Sequence, residues 1–137
     1  MIRKFALALA VAALAVPAAV PAQQSGAQTV CPNGDVTRVR HSKIKAGKTM
    51  ADFDAAVAAH RAWYKSHGYK LTMILAPVLH YPGGAGTVAK DEVMSFASGD
   101  NVPRDKQDAG WNDFVAKYRA ASDLTLEQVV CMPRHGK

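Results

Sequence analysis

Five histidines are the groups in this chain best suited to chemistry near neutral pH, because an imidazole titrates there. Three of them, His60, His41 and His80 in that order, are candidate general bases. His60 falls in the middle of an apolar helical stripe and His67 on its edge. Two roles fit His60. It is either a buried neutral imidazole bonded to a backbone carbonyl or a hydroxyl, or a base or ligand contact pointing into a pocket. His60 and His67 lie two helical turns apart, about 10 Å of rise, so they do not form a zinc pair. No other spacing selects zinc or haem, and neither a metal nor a cofactor is expected. A serine nucleophile is not expected, since no Gly-x-Ser-x-Gly elbow occurs.

The element that must position His60 is the stretch from Thr49 to Gly68. Thr49 is suited to the N-cap, and Asp52 three residues later completes a capping box at the positive end of the helix dipole. Gly68 suits the left-handed position just past the C-terminus. Between them Phe53, Val57, His60, Tyr64 and His67 recur at spacings of three and four, the helical period. Trp63 flanks this stripe.

Strands and a second helix follow from similar signals. Pro32 to Asp35 is a turn, and the β-branched run Val36 to Lys45 is the first strand, with charge on part of one face. Leu71 to Tyr81 is the second. Leu71, Met73, Leu75 and Leu79 fall on one of its faces, and Ile74, Ala76 and Val78 on the other. A sheet with one wet face alternates apolar and polar residues, so this strand is expected to be covered on both sides. Pro77 predicts an edge position or a bulge. The Gly-rich stretch Pro82 to Gly86 reads as a hairpin loop, because no Lys-Ser/Thr pair and no helix follow it. Asp91 to Ser98 is the third strand. Asp105 to Ala121 is a second amphipathic helix with Trp111, Phe114, Val115 and Tyr118 as core, and Leu124 to Met132 is the fourth strand.

The N-terminal segment, residues 1–22, has the form of a secretory signal peptide. Arg3 and Lys4 precede an apolar run too short to span a membrane, and Val20-Pro21-Ala22 fits the small-residue cleavage rule. Cleavage removes those two positive charges and takes the formal charge from +6 to +4. The remaining charges alternate in sign, which describes a solvated surface and not a nucleic-acid patch. Residues 23–35 read as a flexible segment carrying Cys31, residues 36–132 as one domain, and residues 133–137 as a basic tail. The expected location is periplasmic or secreted, with no membrane anchor after cleavage.

The order β-α-β-β-α-β predicts an α+β, ferredoxin-like fold, in which two helices cover one face of a four-stranded antiparallel sheet. That topology sets the first strand beside the last, running the opposite way. Cys31 precedes the first and Cys131 closes the last, so the only two cysteines are brought together. A disulfide is therefore expected after export, and both thiols are lost as nucleophiles.

Helices on one face leave the other needing cover, which a second copy packed sheet to sheet would supply. With this element order, and with Ile44-Lys45-Ala46-Gly47-Lys48-Thr49 leading into a helix that carries Phe53, His60 and Trp63, the chain resembles the dimeric α/β-barrel superfamily, which includes the antibiotic-biosynthesis-monooxygenase and NIPSNAP-like domains. The resemblance covers roughly residues 36–132. It implies a homodimer. Members include cofactor-free monooxygenases, haem-degrading enzymes, decarboxylating or isomerising enzymes, and domains with no known activity. The expectation is an exported domain binding a small apolar or aromatic ligand, with Trp63, His67, Met73, Met94 and Phe96 as its apolar wall. Two alternatives stand beside it: a cofactor-free, oxygenase- or isomerase-like enzyme using a histidine base, and a haem-binding protein.

Overall fold

The computed structural model describes residues 30–134. The segment expected to be a signal peptide, most of the segment expected to be flexible, and the last three residues lie outside them. The elements are β1 (Gly34–Ile44), α1 (Met50–Ser66), β2 (Leu71–His80), β3 (Thr87–Gly99), a 3-10 turn (Arg104–Lys106), α2 (Ala109–Ala121) and β4 (Ser122–Pro133). All neighbouring strands are antiparallel, in the order β2-β3-β1-β4. This is the ferredoxin-like arrangement expected from the element order.

Local chemistry explains the helix ends. The Asp52 backbone N–H donates to Thr49 Oγ1 at 3.3 Å, and the Thr49 N–H donates to Asp52 Oδ2 at 2.8 Å, so the capping box is formed in both directions. Gly68 takes the left-handed φ of +74° just beyond α1. The second helix starts later than its periodicity suggests. Asp108, not Asp105, is its cap and accepts the Trp111 N–H at 2.9 Å. Ahead of it Arg104–Lys106 form only a 3-10 turn, and Gln107 is extended. The third strand begins at Thr87, earlier than Asp91, because Leu79 and His80 still find partners in Val88 and Thr87.

Pro77 meets both of its expected conditions. It lies on edge strand β2, and the β2–β3 register shifts between Pro77 and Leu79. Opposite the sheet's other edge a second irregularity occurs. His41 pairs with Leu126 and Ser42 with Leu124, which leaves Thr125 as the extra residue of a bulge in β4.

The two helices cover one face. Under α1, Ile44, Phe53, Val57, Met73, Val93 and Ala121 form one buried cluster. Trp63, Tyr64, Val102 and Phe114 form another where α1 meets α2. Each site of a cluster follows from parity. Ile44, Met73 and Val93 share a side of the sheet with Leu71, Leu75 and Ala97. The other side carries Val39, Ile74, Ala76, Met94, Phe96 and Leu126, and no element among the described residues packs on it. Ile74 is 60 % exposed and Leu126 41 %.

Cys31 and Cys131 are bridged, with their Cα atoms 5.6 Å apart. The bridge and the backbone bond from Arg134 N–H to Asn33 O fasten the chain just ahead of β1 to the end of β4, and Gly34 N–H to Cys31 O closes the turn between Cys31 and β1. Cys31 is buried, so from this residue onward the segment expected to be flexible is part of the domain. Among the described residues no helix is long and apolar enough to cross a membrane.

Candidate functional site: a cleft between the helices and the sheet

The alternation of β1 decides the floor of the site. Val36, Arg38, Arg40, Ser42 and Ile44 share one parity, and Ile44 is in the core under α1. Arg38 and Arg40 must therefore point to the helix side too. Their neighbours on β3 are small. Arg38 stands opposite Ala97 and Val129, and Arg40 opposite Ser95 and Glu127. The helix above does not fill the space, because α2 packs chiefly on α1 and touches the sheet little. The result is a cleft of about 720 Å³. This lies within the size range of small-molecule sites, roughly 300–1,000 Å³.

Aromatic rings form the opposite wall. His60, Tyr64, Trp111, Phe114 and Tyr118 all line the cleft. His60 stacks on Phe114, ring centroids 4.4 Å apart and nearly parallel, and meets Tyr64 and Tyr118 edge-on. Its Nδ1 lies 3.3 Å from the Tyr118 hydroxyl. Burial, and secondarily the charges of Arg40 and Arg61, push the His60 pKa down to about 4. The imidazole is therefore neutral at physiological pH and behaves as a flat, weakly basic ring. Burial pushes the Tyr64 and Tyr118 phenols up, so both remain protonated donors.

Glu127 is the one carboxylate set between the two arginines. It accepts the Arg40 Nε–H at 2.6 Å and lies 3.8 Å from Arg38 Nε. The bond to Arg40 holds its carboxyl below the usual range.

The residues expected to form an apolar wall are divided among three places. Met73 belongs to the core under α1. Trp63 and His67 fasten the helices together: the Trp63 indole N–H donates to Asp108 Oδ1 at 2.7 Å, and His67 stacks on Trp63 and reaches Asp108 Oδ2 at 3.1 Å. Met94 and Phe96 face away from the cleft on the uncovered side of the sheet, since they pair with His41 and Val39. None of the five lines the cleft.

The three candidate bases separate in the same way. His60 is in the cleft. His41 and His80 are brought together on the uncovered face, where Glu92 lies between them, 2.9 Å from His41 Nε2 and 3.4 Å from His80 Nε2. The bulged Thr125 turns its hydroxyl to His41 Nδ1 at 2.7 Å, so both ring nitrogens of His41 are engaged. Among the described residues, no group of three or more His, Cys, Asp or Glu side chains is placed to hold a metal ion.

Sequence reasoning missed Arg38 and Arg40 and preferred core over a binding platform for Trp111, Phe114 and Tyr118. The signal for the arginines was present, in their shared parity with Ile44.

No family model, no curated protein and no solved structure matches the chain.

Proposed function

We propose that this chain is a binding domain for a small aromatic or apolar ligand, taken up in the cleft between α1, α2 and the sheet. The observation that carries the reading is the open space itself. Five rings stand over a strand floor that carries Arg38 and Arg40 beside the small Ser95 and Ala97, and apolar walls with a few polar groups are the usual composition of a small-molecule site. The domain works in an oxidising compartment. The leader-like N-terminus and the Cys31–Cys131 bridge support that placement.

The proposed assembly is a homodimer in which a second copy covers the outer sheet face. The apolar strip Ile74, Ala76, Met94, Phe96 and Leu126 supports it. Each copy keeps its own cleft, on the far side of the sheet from this contact.

The test uses the neutral aromatic probe N-phenyl-1-naphthylamine, whose fluorescence rises on transfer to an apolar site. Val129 lines the cleft at its rim and is 59 % exposed, so Val129→Trp obstructs the space with little burden on the core. Ile74→Lys marks the outer face. The reading expects enhancement with the native protein, its loss in Val129→Trp, and its retention in Ile74→Lys. Absence of enhancement, or loss in Ile74→Lys alone, contradicts it.

A further inference from the structure

We infer that the ligand of this cleft is an anion, an aromatic or apolar body carrying a carboxylate, sulfonate or comparable group that docks on Arg38 and Arg40. The inference rests on the cleft reading and adds the chemistry of the head group.

Two guanidiniums on the floor of an aromatic cleft are not required by the fold. Residues at these strand positions lie opposite Ala97, Val129 and Ser95, where an apolar side chain would close the space and add to the core. Instead the sequence places two cations there and one counter-charge, Glu127. Each guanidinium has five N–H donors. Among the described residues, the one hydrogen bond that either makes is from Arg40 Nε to Glu127. Arg38 has only the longer 3.8 Å approach to the same carboxylate. One positive charge and most of the donors are thus left over.

Of the other charged groups lining the cleft, Asp100, Lys45 and Asp123 have partners, and Arg119 adds a further guanidinium to the lining. Asp100 accepts the Lys70 backbone N–H at 2.7 Å. Lys45 donates to the Arg119 carbonyl at 2.6 Å and lies 3.4 Å from Asp123. Glu127 already shows how an anion sits here, with one oxygen on Arg40 and the other turned to Arg38. A ligand oxyanion approaching from the cleft side meets the terminal N–H groups of the same two arginines. A guanidinium fork presents parallel N–H groups to two oxygens of a carboxylate or sulfonate, and the bond is charge-assisted. The aromatic body then lies against Trp111, Phe114 and Tyr118.

The test compares two probes that differ only in the anion: 8-anilinonaphthalene-1-sulfonate and its uncharged parent, N-phenyl-1-naphthylamine. Titration of the full mature chain is expected to give an affinity about tenfold or more higher for the sulfonate, the range of one charge-assisted hydrogen bond. Arg38→Gln and Arg40→Gln are each expected to reduce that preference, and the double variant to abolish it, with the parent's affinity unchanged. Added salt is expected to narrow the gap. Equal affinities in the native protein overturn the head-group inference and leave the cleft reading standing, as does a loss that affects both probes equally in the arginine variants. If neither probe binds, the cleft reading itself fails. The arginines lie on the opposite side of the sheet from Ile74, Met94 and Phe96, so sulfonate held on the outer face keeps its affinity in these variants and also counts against the inference.

Discussion

Replacing His60 by Phe removes one titration from the folding equilibrium. An ordinary imidazole in the unfolded chain titrates near 6.5, whereas His60 in the fold titrates near 4. The folded pKa is depressed, so as pH falls the unfolded state takes up the proton first. Stability contributed by the neutral ring is complete above about 6.5 and is lost progressively towards about 4. Below that both states are protonated and the dependence ends. A difference of roughly 2.5 pH units at 1.36 kcal/mol each gives about 3 kcal/mol as an upper figure. Phe keeps a flat ring against Phe114 and forfeits only the contact with Tyr118. Urea denaturation at a series of pH values measures the effect as a difference between native and variant, which cancels the acid transitions of Asp52, Asp108 and Glu127 common to both. The native protein is expected to lose about 3 kcal/mol more than His60→Phe between pH 7 and pH 4. Parallel curves would falsify the assignment of His60 as a buried, neutral member of the cleft wall. An NMR titration of the ring gives the same answer directly. Because Arg40 is the second cause of the low pKa, Arg40→Gln is expected to raise it, and an anion bound at Arg40 is expected to do the same.

Other consequences are simpler to measure. The bridge between Cys31 and Cys131 closes a loop of 100 residues, so the double Cys→Ser variant is expected to lose stability, by at most about 4–5 kcal/mol, read as a lower urea midpoint; an unchanged midpoint refutes it. Thr49→Ala removes the cap of α1 and is expected to cost about 1 kcal/mol, visible as a lower Tm with the fold intact. A Cβ on Gly110 would stand 2.9 Å from Trp63 Cδ1, so Gly110→Leu is expected to force the helices apart and destabilise by roughly 1–3 kcal/mol, with a changed near-ultraviolet tryptophan signal.

Much of the fold was legible because its determinants are local. Thr49, Asp52 and Gly68 define α1 through hydrogen bonds and backbone conformation within a few residues. Pro77 marked both the edge strand and the break in register, because a residue without an N–H is tolerated in few places. The cysteine pairing followed from topology, since β1 and β4 are neighbours. The start of α2 was harder. Asp105 and Asp108 both suit a cap, and the Trp63 indole and His67, which anchor Asp108 from another helix, separate them.

The cleft was the least legible part, because it depends on what two distant segments fail to fill. Strand charge at Arg38 and Arg40 reads as a wet face until Ile44, on the same parity, is known to be core. Phe114 is buried and lines the cleft at once, so an apolar stripe does not distinguish wall from core. Met94 and Phe96 have the composition of a pocket wall, but their pairing with His41 and Val39 puts them on the other side of the sheet.

The most direct test of the cleft as the binding site is an NMR structure of the complex with 8-anilinonaphthalene-1-sulfonate, read through contacts between probe and protein protons. The cleft account predicts contacts from the probe rings to Tyr64, Trp111, Phe114 and Tyr118, with the sulfonate beside Arg38 and Arg40. Contacts to Ile74, Met94 and Phe96 in their place, or none at all, would contradict it.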